Sequence, residues 1–119
     1  MKAYLIDPFA TTVTEVEHNG DYKQIYDYIK ADLFTTIQLD SAGDTLYIDD
    51  EGLFVDEQAY FWLRGYPILL CGRALVLGCN LDTGDSRSPR LSLNDTKSFV
   101  KWQNPLTAQM YLPQVKVKN

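Results

Sequence analysis

At 119 residues, with 45% hydrophobic and 13% aromatic side chains, the chain is long enough to bury one self-sufficient core and too apolar to stay disordered. Its net charge of −5 hides two opposed halves: residues 1–60 carry three lysines against thirteen acids, and residues 61–119 carry eight basic residues against three acids. No apolar run approaches the roughly 20 residues that span a bilayer, and Asp7-Pro8 interrupts the first stretch too early for a secretory leader, so a cytoplasmic protein away from membranes is expected.

Ala3–Ile6 and Thr12–Glu17 are short β-rich runs separated by the turn-forming Asp7-Pro8-Phe9-Ala10, which predicts a hairpin. His18-Asn19-Gly20-Asp21 ends the second strand and offers Asn19 or Asp21 as a helix N-cap. Tyr22, Ile25, Tyr26, Ile29 and Leu33 then recur at the spacing of one helical face, predicting a helix over 22–33. From Phe34 the period changes to two. Thr35-Ile37-Leu39 and Leu46-Ile48, joined by Ser41-Ala42-Gly43-Asp44, predict a second hairpin, followed by a short strand at Leu53-Phe54-Val55 and another at Tyr60–Leu63. Ala74–Leu77 is a continuous apolar run between Gly72 and Gly78, as expected of a central strand buried on both faces. Asn80–Arg90 reads as a polar loop, Ser92 as the cap of a single helical turn, and Phe99–Trp102 as a last strand. Pro105 and Pro113 leave the end of the chain poorly suited to regular structure.

These elements predict one α+β domain over 1–103, a single mixed, mainly antiparallel sheet with one helix packed on one face, and a tail over 104–119 ordered by a partner.

Candidate chemistry is sparse. The single histidine, His18, sits in a polar turn and reads as a surface residue, which leaves a catalytic triad or a zinc site without support. Without a leader, Cys71 and Cys79 are expected as reduced, buried small hydrophobes, and their spacing is not that of a zinc site. Asp49, Asp50, Glu51, Asp56 and Glu57 form the densest acidic cluster, but their order does not match a calcium loop and a solvated hairpin tip explains them. The glycines fit neither a dinucleotide nor a triphosphate fingerprint, so no metal and no cofactor is expected. The sharpest ligand hypothesis takes Tyr60, Trp62, Tyr66 and Trp102 as a stacking platform for a base, with Arg64, Arg73, Arg87 and Arg90 to hold phosphate. Against it, alternate members of Tyr60–Leu63 would fill a core while the others cover a sheet face.

Met1–Asp7, Gly43–Leu53 and Gly72–Gly78 together resemble a phage-associated family of small proteins of unassigned function, found in phage, prophage and plasmid genomes. The likeness spans about the first hundred residues and rests on turns and buried strands, which speak to lineage more than to chemistry. It implies a non-catalytic phage or mobile-element binding protein, with a host protein or complex as partner and inhibition of a host defence system, anti-CRISPR or similar, as its role. The alternatives are a nucleotide-binding protein, either a signal sponge or a small enzyme, and an acidic DNA mimic whose carboxylates imitate a phosphate row. Opposed charges and an open sheet edge would also suit a homodimer.

Overall fold

The structure, a computed structural model, describes residues 1–40, 43–51 and 58–111. The Asp7 carboxylate shapes the first turn, accepting from the backbone N–H groups of Phe9 and Ala10 at 3.0 and 3.4 Å. That turn joins β1 (Lys2–Asp7) and β2 (Thr12–Glu17) as the expected hairpin, in register from Lys2 opposite Glu17 to Asp7 opposite Thr12. Asp21 is the cap that the sequence offered, its side chain accepting from the Lys23 N–H at 3.0 Å, and α1 follows over Tyr22–Ile29. The helix stops four residues short of the predicted Leu33. Lys30 turns left-handed at φ 54° and its N–H closes onto Tyr26, so Leu33 lies 52% exposed in the connection while Phe34 begins a strand.

β3 (Phe34–Gln38) and β4 (Thr45–Asp49) form the second hairpin, and β7 (Ala74–Cys79) lies between β4 and β1 in the order β2-β1-β7-β4-β3. The two-residue β8 (Ser86–Arg87), inside the stretch expected to be loop, pairs with the end of β7. A second sheet, which the sequence pattern did not separate from the first, has the order β6-β5-β9 from β5 (Tyr60–Leu63), β6 (Leu70–Cys71) and β9 (Val100–Gln103). Every ladder among the described residues is antiparallel. The fold is therefore α+β, mainly antiparallel, with a helix against the sheet, and a smaller sheet covers the other side. The expected strand at Leu53–Val55 lies outside the described residues.

Burial on both faces explains the apolar run of β7. Leu75 and Leu77 pack with Ile25 and Ile29 of α1, whereas Ala74 and Val76 pack with Tyr4, Phe61 and Leu63 beneath the small sheet. Alternation along an extended strand sends successive side chains to opposite layers, so the run needs no polar position. α2 (Leu93–Phe99) is longer than the single turn expected and takes in Phe99; Ser92 caps it, accepting from the Asp95 N–H at 3.0 Å.

One carboxylate joins distant parts of this frame. Asp44 is fully buried; it accepts from the Arg87 guanidinium at 3.3 Å and from the backbone N–H groups of Arg90 and Leu91 at 3.0 and 2.8 Å. The close approach depends on two glycines. A Cβ on Gly78 would meet Arg87 Nη1 at 2.3 Å, and Gly43 combines φ +102° with a would-be Cβ 2.4 Å from the Cys79 carbonyl. Asp44→Ala strands the backbone N–H groups of Arg90 and Leu91 without their acceptor and removes a charge-assisted bond to Arg87, so it should cost about 3–5 kcal/mol. The cost should appear as a lower urea midpoint, while the exposed control Asp27→Ala stays within about 0.5 kcal/mol of wild type.

His18 corrects the surface reading, because it is 2% exposed. Its backbone exchanges hydrogen bonds with Met1 at 2.8 and 3.0 Å, extending the hairpin by one pair and drawing the ring inward. Nδ1 accepts from the Gly20 N–H at 2.9 Å, and Nε2 is buried with no hydrogen-bond partner among the described residues. Burial and then the Met1 ammonium push the imidazole below its ordinary 6.5. As pH falls through about 6.5 the unfolded chain therefore takes up its proton first, so the stability present above that pH declines below it. The melting temperature should drop on acidification from about pH 7.5 to about pH 5.5, and His18→Asn, which keeps an acceptor for Gly20, should flatten that slope.

Candidate functional site

The four arginines singled out in the sequence are not brought together. Arg73, at the start of β7, pairs with Asp7 at 3.4 Å and lies 4.4 Å over the ring of Phe9. Arg87 stands opposite Gly78 at the other end of the same strand, about 16 Å away at the rise of an extended chain, and holds Asp44. Arg64 leans over Phe99 at 5.1 Å and donates to the Ser98 carbonyl at 3.3 Å. Arg87 and Arg90 share a hollow of about 420 Å³ with Cys79, Asn80, Leu81 and Asp82.

The aromatic candidates divide as well. On β5, Phe61 and Leu63 point into the core, so Tyr60 and Trp62 occupy the other face. Trp102, opposite Phe61 on β9, meets that ring edge-on at 6.5 Å and therefore lies on the inner side. Trp62 is covered from outside: its Nε1–H donates to Gln103 Oε1 at 2.9 Å, and Tyr111 stands edge-on to it at 5.3 Å. Gln103 in turn donates to Thr107 at 2.7 Å, and the 3₁₀ turn Ala108–Met110 follows with Ala108 fully buried. Tyr66 packs against the core between the sheets. Burial, then the neighbouring Cys71, raises the Tyr60 hydroxyl, and burial pushes the Cys71 thiol up to about 11, which removes it as a thiolate nucleophile at neutral pH.

The acids are spread over two layers. Glu15 and Glu17 share the face of β2 that carries Val13 toward the small sheet, while Asp21 and Asp27 belong to the helical layer on the other side. Asp56 and Glu57 lie outside the described residues. Among the described residues no group of three or more His, Cys, Asp or Glu is placed to hold a metal ion, and no helix is long and apolar enough to cross a membrane.

What the fold does assemble is a groove that sequence reasoning did not find, apart from Trp102. β2 ends the large sheet and β9 ends the small one, so two strand edges face each other across the mouth between the layers. Thr11–Thr14 form one wall; Lys97 of α2 with Val100 and Trp102 of β9 form the other, enclosing about 440 Å³. That volume falls in the range of ligand and peptide pockets, and an apolar floor with a few polar groups at its rim is their usual construction. Val100 and Trp102 face inward because they lie opposite Leu63 and Phe61 on the small sheet. Trp102 is the only one of the eight sequence candidates that lines it. The threonines carried no signal because alternating polar residues on a strand look the same whether they face solvent or a cleft.

A family model described as a domain of unknown function, DUF3846, matches residues 1–100. The match includes Thr11–Thr14, Lys97 and Val100 but stops before Trp102 and the segment that covers Trp62. No curated protein and no solved structure matches the chain.

Trp62 is a structural residue on this geometry, half-buried and held from two sides. Trp62→Ala should cost about 2–3 kcal/mol, below the 3–5 of a wholly enclosed ring, and guanidinium denaturation reads it directly. An unchanged midpoint would show that Tyr111 and Gln103 do not hold the ring in solution.

Proposed function

We propose that this chain, which belongs to the DUF3846 family of domains of unknown function, is a non-catalytic binding protein of phages or other mobile elements. It acts in the host cytoplasm by seating a segment of a host protein or complex in the groove between β2 and β9. Its specific role is inhibition of a host defence system, of the anti-CRISPR kind or similar. The observation that carries the binding part is the groove itself, where the end strand of each sheet flanks an apolar floor with Trp102 at one side and Lys97 in its lining. Tryptophan in a concave patch is among the residue types that most often dominate a protein interface. The mobile-element part is supported by the resemblance of Met1–Asp7, Gly43–Leu53 and Gly72–Gly78 to phage-associated small proteins.

The placement of the arginines favours a protein partner over a nucleotide. A phosphate clamp needs convergent guanidinium groups, and here Arg73, Arg87 and Arg64 each serve a separate intramolecular contact. The test is capture of partners by the tagged protein from a host culture, quantified by mass spectrometry, with wild type, Trp102→Ala and Lys97→Glu compared. One stoichiometric protein partner is expected on wild type, reduced about tenfold or more on both variants; Lys97→Glu should do so at unchanged melting temperature, and Trp102→Ala, which also loses its contact with Phe61, is compared well below its lowered melting temperature. Calorimetry against mono-, di- and cyclic nucleotides at about millimolar concentration should give no heat. A micromolar nucleotide whose binding is lost in Arg90→Ala would overturn the proposal in favour of a sponge or small enzyme.

A further inference from the structure

The hydrogen-bond register of β2 says which of its backbone groups are open. Met1 and His18 exchange both possible bonds, Met1 N–H to His18 O at 3.0 Å and His18 N–H to Met1 O at 2.8 Å. Bonded and non-bonded pairs alternate along an antiparallel ladder, so Ala3 with Val16, Leu5 with Thr14 and Asp7 with Thr12 are the bonded pairs of β1 and β2. The N–H and C=O groups of Val13, Glu15 and Glu17 therefore point away from β1, out of the sheet. β1 confirms the phase. Its complementary residues Tyr4 and Ile6 face β7 opposite Val76 and Ala74, and the Lys2 N–H, on that same side, donates to Ser88 Oγ at 3.0 Å.

At one end this edge is closed, because the Tyr28 hydroxyl donates to the Glu17 carbonyl. At Val13 it opens into the groove, beside Lys97 and Trp102. Val13 is only 7% exposed, and no hydrogen bond from its outward N–H or to its outward C=O exists among the described residues. Nearly all buried backbone groups in folded proteins are paired, so an edge left open inside a cleft calls for a partner with the same spacing of donors and acceptors. That partner is another extended backbone. A small molecule can meet one such pair, whereas a strand meets the pairs of Val13 and Glu15 together, about 7 Å apart along β2.

We propose that the groove takes an extended peptide segment, which adds to the large sheet as a strand beside β2. The segment carries an apolar side chain over Trp102 and Val100, and a carboxylate that meets Lys97. Main-chain bonds to Val13 and Glu15 supply affinity, and the alternate side chains that face the floor supply selectivity. This inference rests on the groove-binding reading above and names the chemistry of what the groove accepts.

The test uses the full chain and a displayed library of random twelve-residue peptides. Enriched sequences should alternate apolar and polar residues and include an acid. The tightest peptide, made synthetically and labelled, is then measured by fluorescence anisotropy. N-methylation of its backbone amides one at a time should weaken binding about tenfold at every second position within the bound core and little at the positions between. Val13→Pro, which removes an outward donor from an edge strand and leaves the bonded pairs with β1 intact, should weaken it by a similar factor. Lys97→Glu should weaken it too, and exchanging the peptide's acid for lysine should restore binding to that variant. The N-methyl scan needs no protein variant, so it remains decisive if Val13→Pro folds poorly. No enrichment, enriched peptides with helical i, i+3, i+4 spacing, or binding indifferent to N-methylation throughout would overturn strand addition. A host partner captured by wild type and lost in Lys97→Glu would then leave the groove reading standing without it, whereas a partner that ignores both Lys97→Glu and Trp102→Ala would remove the groove reading itself.

Discussion

The Asp44 carboxylate is the constraint on which the geometry of this fold depends, because it fixes one end of the large sheet to the start of α2. It sits in the turn before β4, yet its acceptors hold the backbone N–H groups of Arg90 and Leu91, just before the Ser92 cap. The Tyr4 hydroxyl donates to the Leu91 carbonyl at 2.7 Å, so the same short segment is tied to β1 as well. With its entry pinned at both points, α2 lies beside β2, and β9 follows without an intervening loop. The wall formed by Lys97, Val100 and Trp102 thus takes its position from a carboxylate that is not part of the groove. A buried ion pair is weak evidence for stability in itself. Here the pair is embedded in two further charge-assisted bonds to backbone, and its value lies in fixing one arrangement of the layers.

The sandwiching of the large sheet has a consequence for the aromatic candidates on the strands of the small sheet. Once Phe61 and Leu63 are committed to the space below the sheet, strand alternation and antiparallel register decide the rest: Tyr60 and Trp62 must face out, and Trp102 must face in. A common stacking platform of Trp62 and Trp102 is thereby excluded by the pleat alone. Trp62 is then covered by Gln103, which is tied to Thr107, and by the ring of Tyr111.

The parts of the fold legible in the sequence were those whose cause is local. The Asp7 turn, the Asp21 cap and the Ser92 cap each depend on side chain to backbone bonds within three residues. The apolar run of β7 announced its double burial for an equally simple reason. Where the cause was distant, the pattern was silent or misleading. Leu33 continues the helical period, but the start of β3 at Phe34 takes the chain away. His18 has the polar neighbours of a surface turn and is buried only because Met1 pairs with it across the hairpin. The opposed charge of the two halves, which suggested an interaction surface, is in part internal. Asp7 with Arg73 and Asp44 with Arg87 each join an acid of the first half to an arginine of the second. The groove was invisible because its walls are drawn from residues about as far apart in sequence as the domain allows, and none of them is unusual where it stands.

An open edge is a hazard as well as an opportunity, and the two edges of the large sheet meet that hazard differently. β3 is short and carries exposed Thr35, Thr36 and Gln38 without charge. β2 carries Glu15 and Glu17 at outward-facing positions, and Tyr28 closes the edge at the Glu17 carbonyl. Antiparallel pairing of β2 with the same strand of a second copy would line four carboxylates along one short ladder, an arrangement that like-charge repulsion disfavours. The same strand presents Val13 at the end where Lys97 and the Trp102 ring stand, and there the added strand we propose would meet a cation and an apolar floor. Charge on β2 thus works against self-association at this edge while leaving it accessible to a segment with an acid near Lys97. The discrimination lies in where along six residues the charges fall.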